Sequence, residues 1–353
     1  MTHPSVTSIP AQFIGLDVGD RLTHVCGLDG GRRVVERTRI ATTREALLAA
    51  FADHPPARIV LEVGSQSPWL SSLLRELGHD VLVADARRVA AITRSGRKTD
   101  RRDAETLARL LAGMPELLGS VRHRGRQAQA DLALIRARDV FVQTSTRCRQ
   151  HVRGVLKSFG LRMPKCSGRA FRKAALEVIP EELQPALLPV LAQLEAVERT
   201  IHDYDRRIEQ LGTERHPDTA RLRQVNSVGP LVSLAFVLTI DDPKRFAKSR
   251  DVGSFLGLCP RVQASGDSDP QLPISKTGCG YMRRLLVQSA QYILGPFGKD
   301  SDLRRFGLRL CERGGKAAKR RAVVAVARKL AVLLHRLWVS GAPYEPLRNA
   351  KPA

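Results

Sequence analysis

Two carboxylates, Asp100 and Asp103, stand three residues apart in "TDRRDAETLARLL", with Arg101 and Arg102 between them and the basic run "RSGRK", carrying Arg97 and Lys98, just upstream. At i and i+3 they project from one face of a helix. Two more acids break apolar runs: Asp17 in "FIGLDVG" and Glu62 at the end of "RIVLE". An ionised carboxylate in such a run is costly unless it is paired or holds a cation. Four carboxylates converging among arginines would bind hard cations such as Mg²⁺, while the arginines hold the phosphates on which the metals act. Two ions about 3.5–4 Å apart can activate a nucleophile and stabilise the leaving oxygen of a phosphodiester. Each acid also has a plainer reading. Asp100 and Asp103 suit a helix cap and its dipole, and Asp17 suits a satisfied strand end. Asp85, closing "VLVAD", competes with Asp100 on position or simply caps "ARRVAAITR".

The elements that would position these acids can be read from hydrophobic periodicity. "FIGLDVG" (13–19), "THVCGLDGG" (23–31) and "RRVVERTRI" (32–40) read as three consecutive strands, the second pair turning at Asp29-Gly30-Gly31. "TTREALLAAFADH" then reads as a Thr-capped helix, "ARIVLEVGS" as a buried strand, "SPWLSSLLRELGH" as a helix and "DVLVADA" as a strand. Three hairpin-linked strands followed by alternating helix and strand give an α/β layer order that matches the RNase H-like layout.

Charge points to the partner. The formal charge is +23, from 58 Lys+Arg against 35 Asp+Glu, and the excess recurs in most segments, the footprint of a polyanion. Aromatics at 5% argue against a surface that stacks single-strand bases on rings, so phosphate contacts should dominate. The six cysteines are scattered without a C-x-x-C, which indicates neither zinc nor a disulfide framework. The N-terminus has no signal-peptide pattern and no apolar run approaches about 18 residues, so no membrane partner is expected and the protein reads as cytoplasmic.

Beyond residue 125 the chain turns helix-rich. Leu187, Leu191, Leu194, Val197, Ile201, Tyr204, Ile208 and Leu211 form a heptad seam, the pattern of a coiled coil that commonly joins protomers, so a homodimer or tetramer is the default expectation. An upstream helical stretch, "ADLALIRARDVFVQTSTRCRQHVRGVLKSFG", would fold back on it. Its polar face carries Arg136, Arg138, Arg147, Arg149, Arg153 and Lys157, which reads as a nucleic-acid stripe or a solvated face. From about residue 218, "LRQVNSVGPLVSLAFVLTI" outlines two helices around Val228-Gly229-Pro230, a helix-hairpin-helix-like element whose amides at Gly229 would receive a phosphate. The loop "QASGDSDPQLPISKTG" combines Ser265 with Lys276 and runs into a helix bearing Arg283 and Arg284. A serine beside such cations attacks a phosphodiester if a metal or base lowers its proton affinity. Taken alone, Ser265 reads as a turn hydroxyl.

Extended motifs carry a family resemblance over nearly the whole chain. They run from "FIGLDVG", "RIVLEVGSQSPWL", "RKTDRRDAETLARL" and "ADLALIRARD" through "SRDVGSFLGLCPR" and "SGDSDPQLPISKTG" to "MRRLLVQSAQYILGPFG" and "GGKAAKRRAVVAVARKLAVLLHRLW". In these the chain resembles the DEDD transposases of insertion sequence family 110, in its 1111-like branch, a group described as RNA-guided ("bridge RNA") serine recombinases. The resemblance implies an α/β RNase H/RuvC-like catalytic domain (11–120), an all-α coiled-coil region (121–215) and a mainly α C-terminal transposase domain (216–345). It implies that Asp17, Glu62, Asp100 and Asp103 hold Mg²⁺, two ions per site with Mn²⁺ as a substitute, which favours Asp100 over Asp85. It further implies that Ser265 attacks a DNA phosphate to leave a phosphoserine link, and that Ser265 and the carboxylates come from different protomers. The implied partners are double-stranded DNA at the element ends and target, together with a noncoding bridge RNA. The implied place of action is the prokaryotic cytoplasm, at the nucleoid. One departure stands out: where the family usually reads Pro-Gly, this chain has Asn226 and Ser227, so its turn either rests on Asn226 and Gly229 or is impaired. Two other classes stay open, a metal-dependent junction nuclease using water and a decayed, non-catalytic nucleic-acid-binding copy.

Overall fold

A computed structural model describes residues 11–92, 100–263, 270 and 272–349, with the side chains of Ala91, Asp100 and Arg101 outside the described set. The chain divides into two compact units, residues 1–123 and 124–353.

The first unit is built on five strands: β1 (Phe13–Val18), β2 (Leu22–Leu28), β3 (Val34–Ala41), β4 (Arg58–Glu62) and β5 (Asp80–Ala84). They lie in the order β3-β2-β1-β4-β5; the first three are antiparallel, and β1, β4 and β5 are parallel. α1 (Arg44–Phe51) and α2 (Ser67–Glu76) make the crossovers to β4 and β5, and α3 (Ala86–Ile92), α4 (Asp100–Gly113) and α5 (Pro115–Leu118) follow. Alternation assigns the two faces. Ile14, Leu16, Ile59 and Leu61 are buried in one core with Leu47 of α1 and Leu70, Leu73 and Leu74 of α2. Val60 and Ala84 pack on the opposite face with Leu107, Leu110 and Leu111 of α4. Thr43 caps α1 by accepting from the Ala46 amide, as the sequence reading expects. The β2–β3 turn departs in detail. Asp29 closes it by accepting from the Arg33 amide, but the left-handed residue is Arg32 (φ 64°), and neither Gly30 nor Gly31 has a positive φ.

The second unit is helical: α6 (Arg126–Ser158), α7 (Phe171–Leu176), α8 (Gln184–Glu214), α9 (Asp218–Leu222), α10 (Pro230–Ile240), α11 (Asp251–Phe255), α12 (Gly280–Leu294), α13 (Asp302–Cys311) and α14 (Gly315–Ser340). α6 and α8 pair antiparallel. At one end Val152 and Leu156 share a core with Leu187, Leu191, Leu194 and Phe171. At the other, Leu132, Ile135 and Ile208 join the main core of α10, α12 and α14. Much of the heptad seam is therefore covered by the chain's own α6. Buried Asp131 locks the base of this hairpin by accepting from Gln127 (2.8 Å) and Arg215 (3.2 Å) and meeting His216 (2.9 Å). Among the described residues no helix is long and apolar enough to cross a membrane.

Candidate active site

β1 and β4 run parallel with Gly15 opposite Val60 and Leu16 opposite Leu61, so Asp17 and Glu62 follow side by side at the carboxyl ends of adjacent strands. In open α/β sheets ligand sites gather there. Both acids lie two residues beyond Gly15 and Val60, on the face that α4 covers. Gly15 is what lets α4 so close. A Cβ there would stand 2.1 Å from the Ala104 carbonyl oxygen and 2.6 Å from the Ala108 nitrogen, so helix backbone rests directly on strand backbone. Phe13 packs in one cluster with Ala108 and Ala112, while Gly15 meets Ala104 and Ala108. Following β1 toward Asp17 thus leads along α4 toward its first turn. Ala104, Leu107, Ala108 and Leu111 form the buried stripe of α4, and positions 100 and 103 continue that stripe at helical spacing. Asp17, Glu62 and Asp103 are each half-buried.

The second turn of α4 is also tethered to the far strand. Arg37 of β3 donates to Glu105 at 2.7 Å, and Glu105 accepts from Arg109 one turn on. The Arg37 hydrogen bond holds the Glu105 carboxyl below the usual range. His24 of β2 stands opposite Asp17 in the antiparallel register, alternating with Cys26 and Leu28 on the α4 side. The sequence reading passed over it; the period-2 pattern of "THVCGL" combined with the hairpin register would have found it. Asp85 takes its plainer role. Its carboxylate accepts from the Arg87 amide at 3.0 Å and its carbonyl from Val89, capping α3.

The oxygen-only donor set suits a hard cation. Among the described residues, however, no three His, Cys, Asp or Glu groups gather closely enough to hold a metal ion, and the side chain of Asp100 lies outside those residues. Arg97 and Lys98 lie outside the described residues and the Arg101 side chain is not described, while Arg102 is exposed.

Ser265 lies outside the described residues, while both flanks of its loop lie within them. Arg261 donates to the Pro273 carbonyl (3.0 Å), Ser275 to Cys259 (2.9 Å) and Lys276 to Gly257 (3.2 Å), a short antiparallel ladder. Arg283 pins it, donating to the Leu256 (2.9 Å) and Thr277 (2.8 Å) carbonyls. Lys276 is exposed in the left-handed region (φ 56°). Arg284 donates both of its bonds to Asp139 at 2.7 Å and lies over Tyr281, whose phenol burial pushes up to about 12. Arg149 pairs with Glu198, and Arg153 is exposed over Phe171. Arg283, Arg284 and Arg149 thus each have partners within the chain; those of Arg284 and Arg149 lie 145 and 49 residues away, where no local pattern reveals them.

Asn226 and Ser227 lie in the turn between α9 and α10. Gly229 caps α10 in an extended conformation (φ −88°, ψ −174°). The left-handed position falls on Ser227 (φ 80°), whose carbonyl accepts from the Ser289 hydroxyl at 3.0 Å and whose own hydroxyl is buried with no partner.

Comparison with known proteins identifies the family. A DEDD transposase family model matches residues 14–160, and a model described as "Transposase IS116/IS110/IS902 family" matches residues 219–304. The chain is 27% identical over 331 residues to the transposase for insertion sequence element IS1111A of Coxiella burnetii, covering 92% of this chain and 88% of that one. It is 29% identical to a probable family 20 transposase of Pseudomonas aeruginosa (94% and 98% covered) and 28% identical to the transposase for IS1328 of Yersinia enterocolitica (82% and 84%). With an acid-bearing α/β unit, a helical second unit and two models of one family matching most of the chain between them, the protein belongs to the IS110 family of insertion-sequence transposases, enzymes that cut and rejoin DNA.

Proposed function

We propose that the chain recombines DNA strands through a carboxylate site at Asp17, Glu62, Asp100 and Asp103 and a serine nucleophile, Ser265. The observation that carries this is the pairing of Asp17 with Glu62 at the carboxyl ends of β1 and β4, facing the helix whose first turn bears the other two acids. When bound there, Mg²⁺ would polarise a phosphodiester and offset the charge that builds on its oxygens. The four carboxylates would hold the cations, and Arg102 would approach the phosphate. Ser265 Oγ would bond to phosphorus as one deoxyribose oxygen leaves, and its proton would pass to a neighbouring base. The phosphoserine ester keeps the energy of the broken bond for rejoining. Lys276 and the Arg283-pinned ladder would present the serine. A noncoding RNA that chooses the DNA partners, and a dimer or tetramer in which protomers share the site, follow from family resemblance. The three-part organisation (11–120, 121–215, 216–345) is part of the same reading.

The test is strand cleavage of element-end DNA in Mg²⁺ by the wild-type chain, Asp17→Asn, Glu62→Gln and Asp103→Asn. Loss of cleavage in all three with unchanged melting supports the site; cleavage surviving in any of them removes that residue from it.

A further inference from the structure

The C-terminal unit contains a groove of about 910 Å³ bounded by α13, α14, the base of the 258–274 ladder and the segment after α14. That size lies near the upper end of ordinary small-molecule sites, ~300–1,000 Å³. Its floor is apolar, with Leu258, Ile274, Phe306, Val324, Val332 and Leu333. Its rim is cationic, with Arg313, Arg320, Arg321, Arg328, Arg336 and Arg348, besides Lys329, whose ammonium lies over Phe306 at 4.2 Å. Several arginines elsewhere in this unit are paired, as in Arg138–Asp205, Arg223–Glu209 and Arg305–Asp300. Among the described residues none of those six rim arginines has a carboxylate partner. Among the described residues the groove's acids are Glu345 and Asp302, and Asp302 already accepts two bonds from Asn349.

Arg321, Arg328 and Arg336 repeat at seven and eight residues along one side of α14, about 10–12 Å apart at the helical rise. Guanidinium forks in that arrangement suit phosphates more than an ammonium would. Shape then separates two kinds of nucleic acid. A duplex is read by a convex ridge entering its own groove, about 12 Å wide. A concave, oily floor offers a duplex nothing, whereas an unstacked base presents flat apolar faces with its phosphate alongside. The geometry points to a binding site for an unpaired nucleotide segment, with one or two splayed bases on the Val332–Phe306 floor and the flanking phosphates on Arg321, Arg328 and Arg336. The inference deepens the DNA-recombining reading and rests on it, but does not require Ser265 to be the nucleophile.

The test uses the full chain and fluorescence anisotropy with labelled oligothymidylate, the matching oligouridylate and a mixed-sequence duplex, each across a salt series. Arg321→Ala/Arg328→Ala/Arg336→Ala should weaken single-strand binding at least about tenfold and flatten its log–log salt slope by roughly two, at about 0.7 per phosphate. Duplex affinity should change less than about threefold. Val332→Gln, with every cation intact, should weaken single-strand binding and leave the salt slope alone, a readout that a plain basic face does not move. Tighter binding of the DNA strand assigns the groove to the substrate and tighter RNA binding to a transcript; either supports the site. Equal weakening of duplex and single strand, no effect of Val332→Gln, or tighter binding by a competing acidic amphipathic peptide overturns it. Wild-type binding of duplex alone overturns the groove but not the DNA-recombining reading, whereas binding of neither nucleic acid overturns both. Thermal melts matching wild type establish that the variants fold.

Discussion

Gly15→Ala is the most informative single-methyl change, because it acts on the contact that sets the distance between β1 and α4. The new Cβ would lie 2.1 Å from the Ala104 oxygen and 2.6 Å from the Ala108 nitrogen, both backbone atoms that no side-chain rotation can clear. Restoring ordinary contact requires α4 to retreat by about 1 Å, an overpacking strain of roughly 1–3 kcal/mol. The same retreat carries the first turn of α4, with positions 100 and 103, away from Asp17. Misplacing a catalytic group by about 1 Å costs on the order of 100-fold in rate. The assay is paired: thermal unfolding by circular dichroism, and Mg²⁺-dependent cleavage of element-end DNA by the fully folded fraction well below the melting temperature. A lower melting temperature together with cleavage reduced about 100-fold is expected, with DNA affinity little changed. A variant that melts and cleaves like wild type would refute the claim that strand–helix contact positions the acids.

Other consequences follow from particular residues. Ser227→Gly should stabilise the protein by about 1–2 kcal/mol, since it relieves a left-handed serine and removes a buried, unpartnered hydroxyl, partly offset by glycine's greater chain entropy; an unchanged or lower denaturant midpoint would contradict it. Arg283→Ala should slow strand cleavage roughly ten- to hundredfold with little change in DNA affinity, because the Arg283 guanidinium already donates to two ladder carbonyls; loss of affinity with an unchanged rate would make Arg283 a substrate contact instead. His79 is buried and neutral, accepting from the Ala57 amide and donating to the Phe51 carbonyl, and burial lowers its pKa. The unfolded chain therefore takes up this proton first, so stability falls as pH drops below the ordinary histidine value and recovers as pH rises through it. His79→Asn should flatten that limb of a stability–pH curve. Glu105 behaves oppositely: the Arg37 bond lowers its pKa, so its contribution is full above the ordinary carboxylate range and is lost as pH falls through the lowered value, a dependence that Glu105→Gln removes.

The first unit was legible because its signals are local. The short apolar runs in "FIGLDV" and "RIVLE" mark strands buried on both faces, and Thr43 and Asp85 announce their helices by cap chemistry. Where a turn's strain would fall was not legible: two glycines precede Arg32, yet register with Asp29 puts the left-handed residue on the arginine. The seam on α8 was visible as a heptad, but whether its partner is α6 or a second copy depends on a pairing more than forty residues away in sequence, as in Arg149–Glu198. A basic side chain also looks the same in sequence whether it meets Asp139, as Arg284 does, or faces an open groove, as Arg328 does. Charge counting therefore recognised a polyanion partner without separating the arginines that hold the fold from those free to bind it.

The central claim is that the carboxylate site and Ser265 act on one phosphodiester. Its most direct test is a denaturing-gel search for a covalent protein–DNA adduct, using the chain with Mg²⁺, labelled element-end DNA and RNA transcribed from the flanks, alongside Ser265→Ala and Asp103→Asn. An adduct is expected in the wild type and is expected to be absent from both variants. DNA cut without an adduct, and still cut by Ser265→Ala, would contradict it and make water the nucleophile.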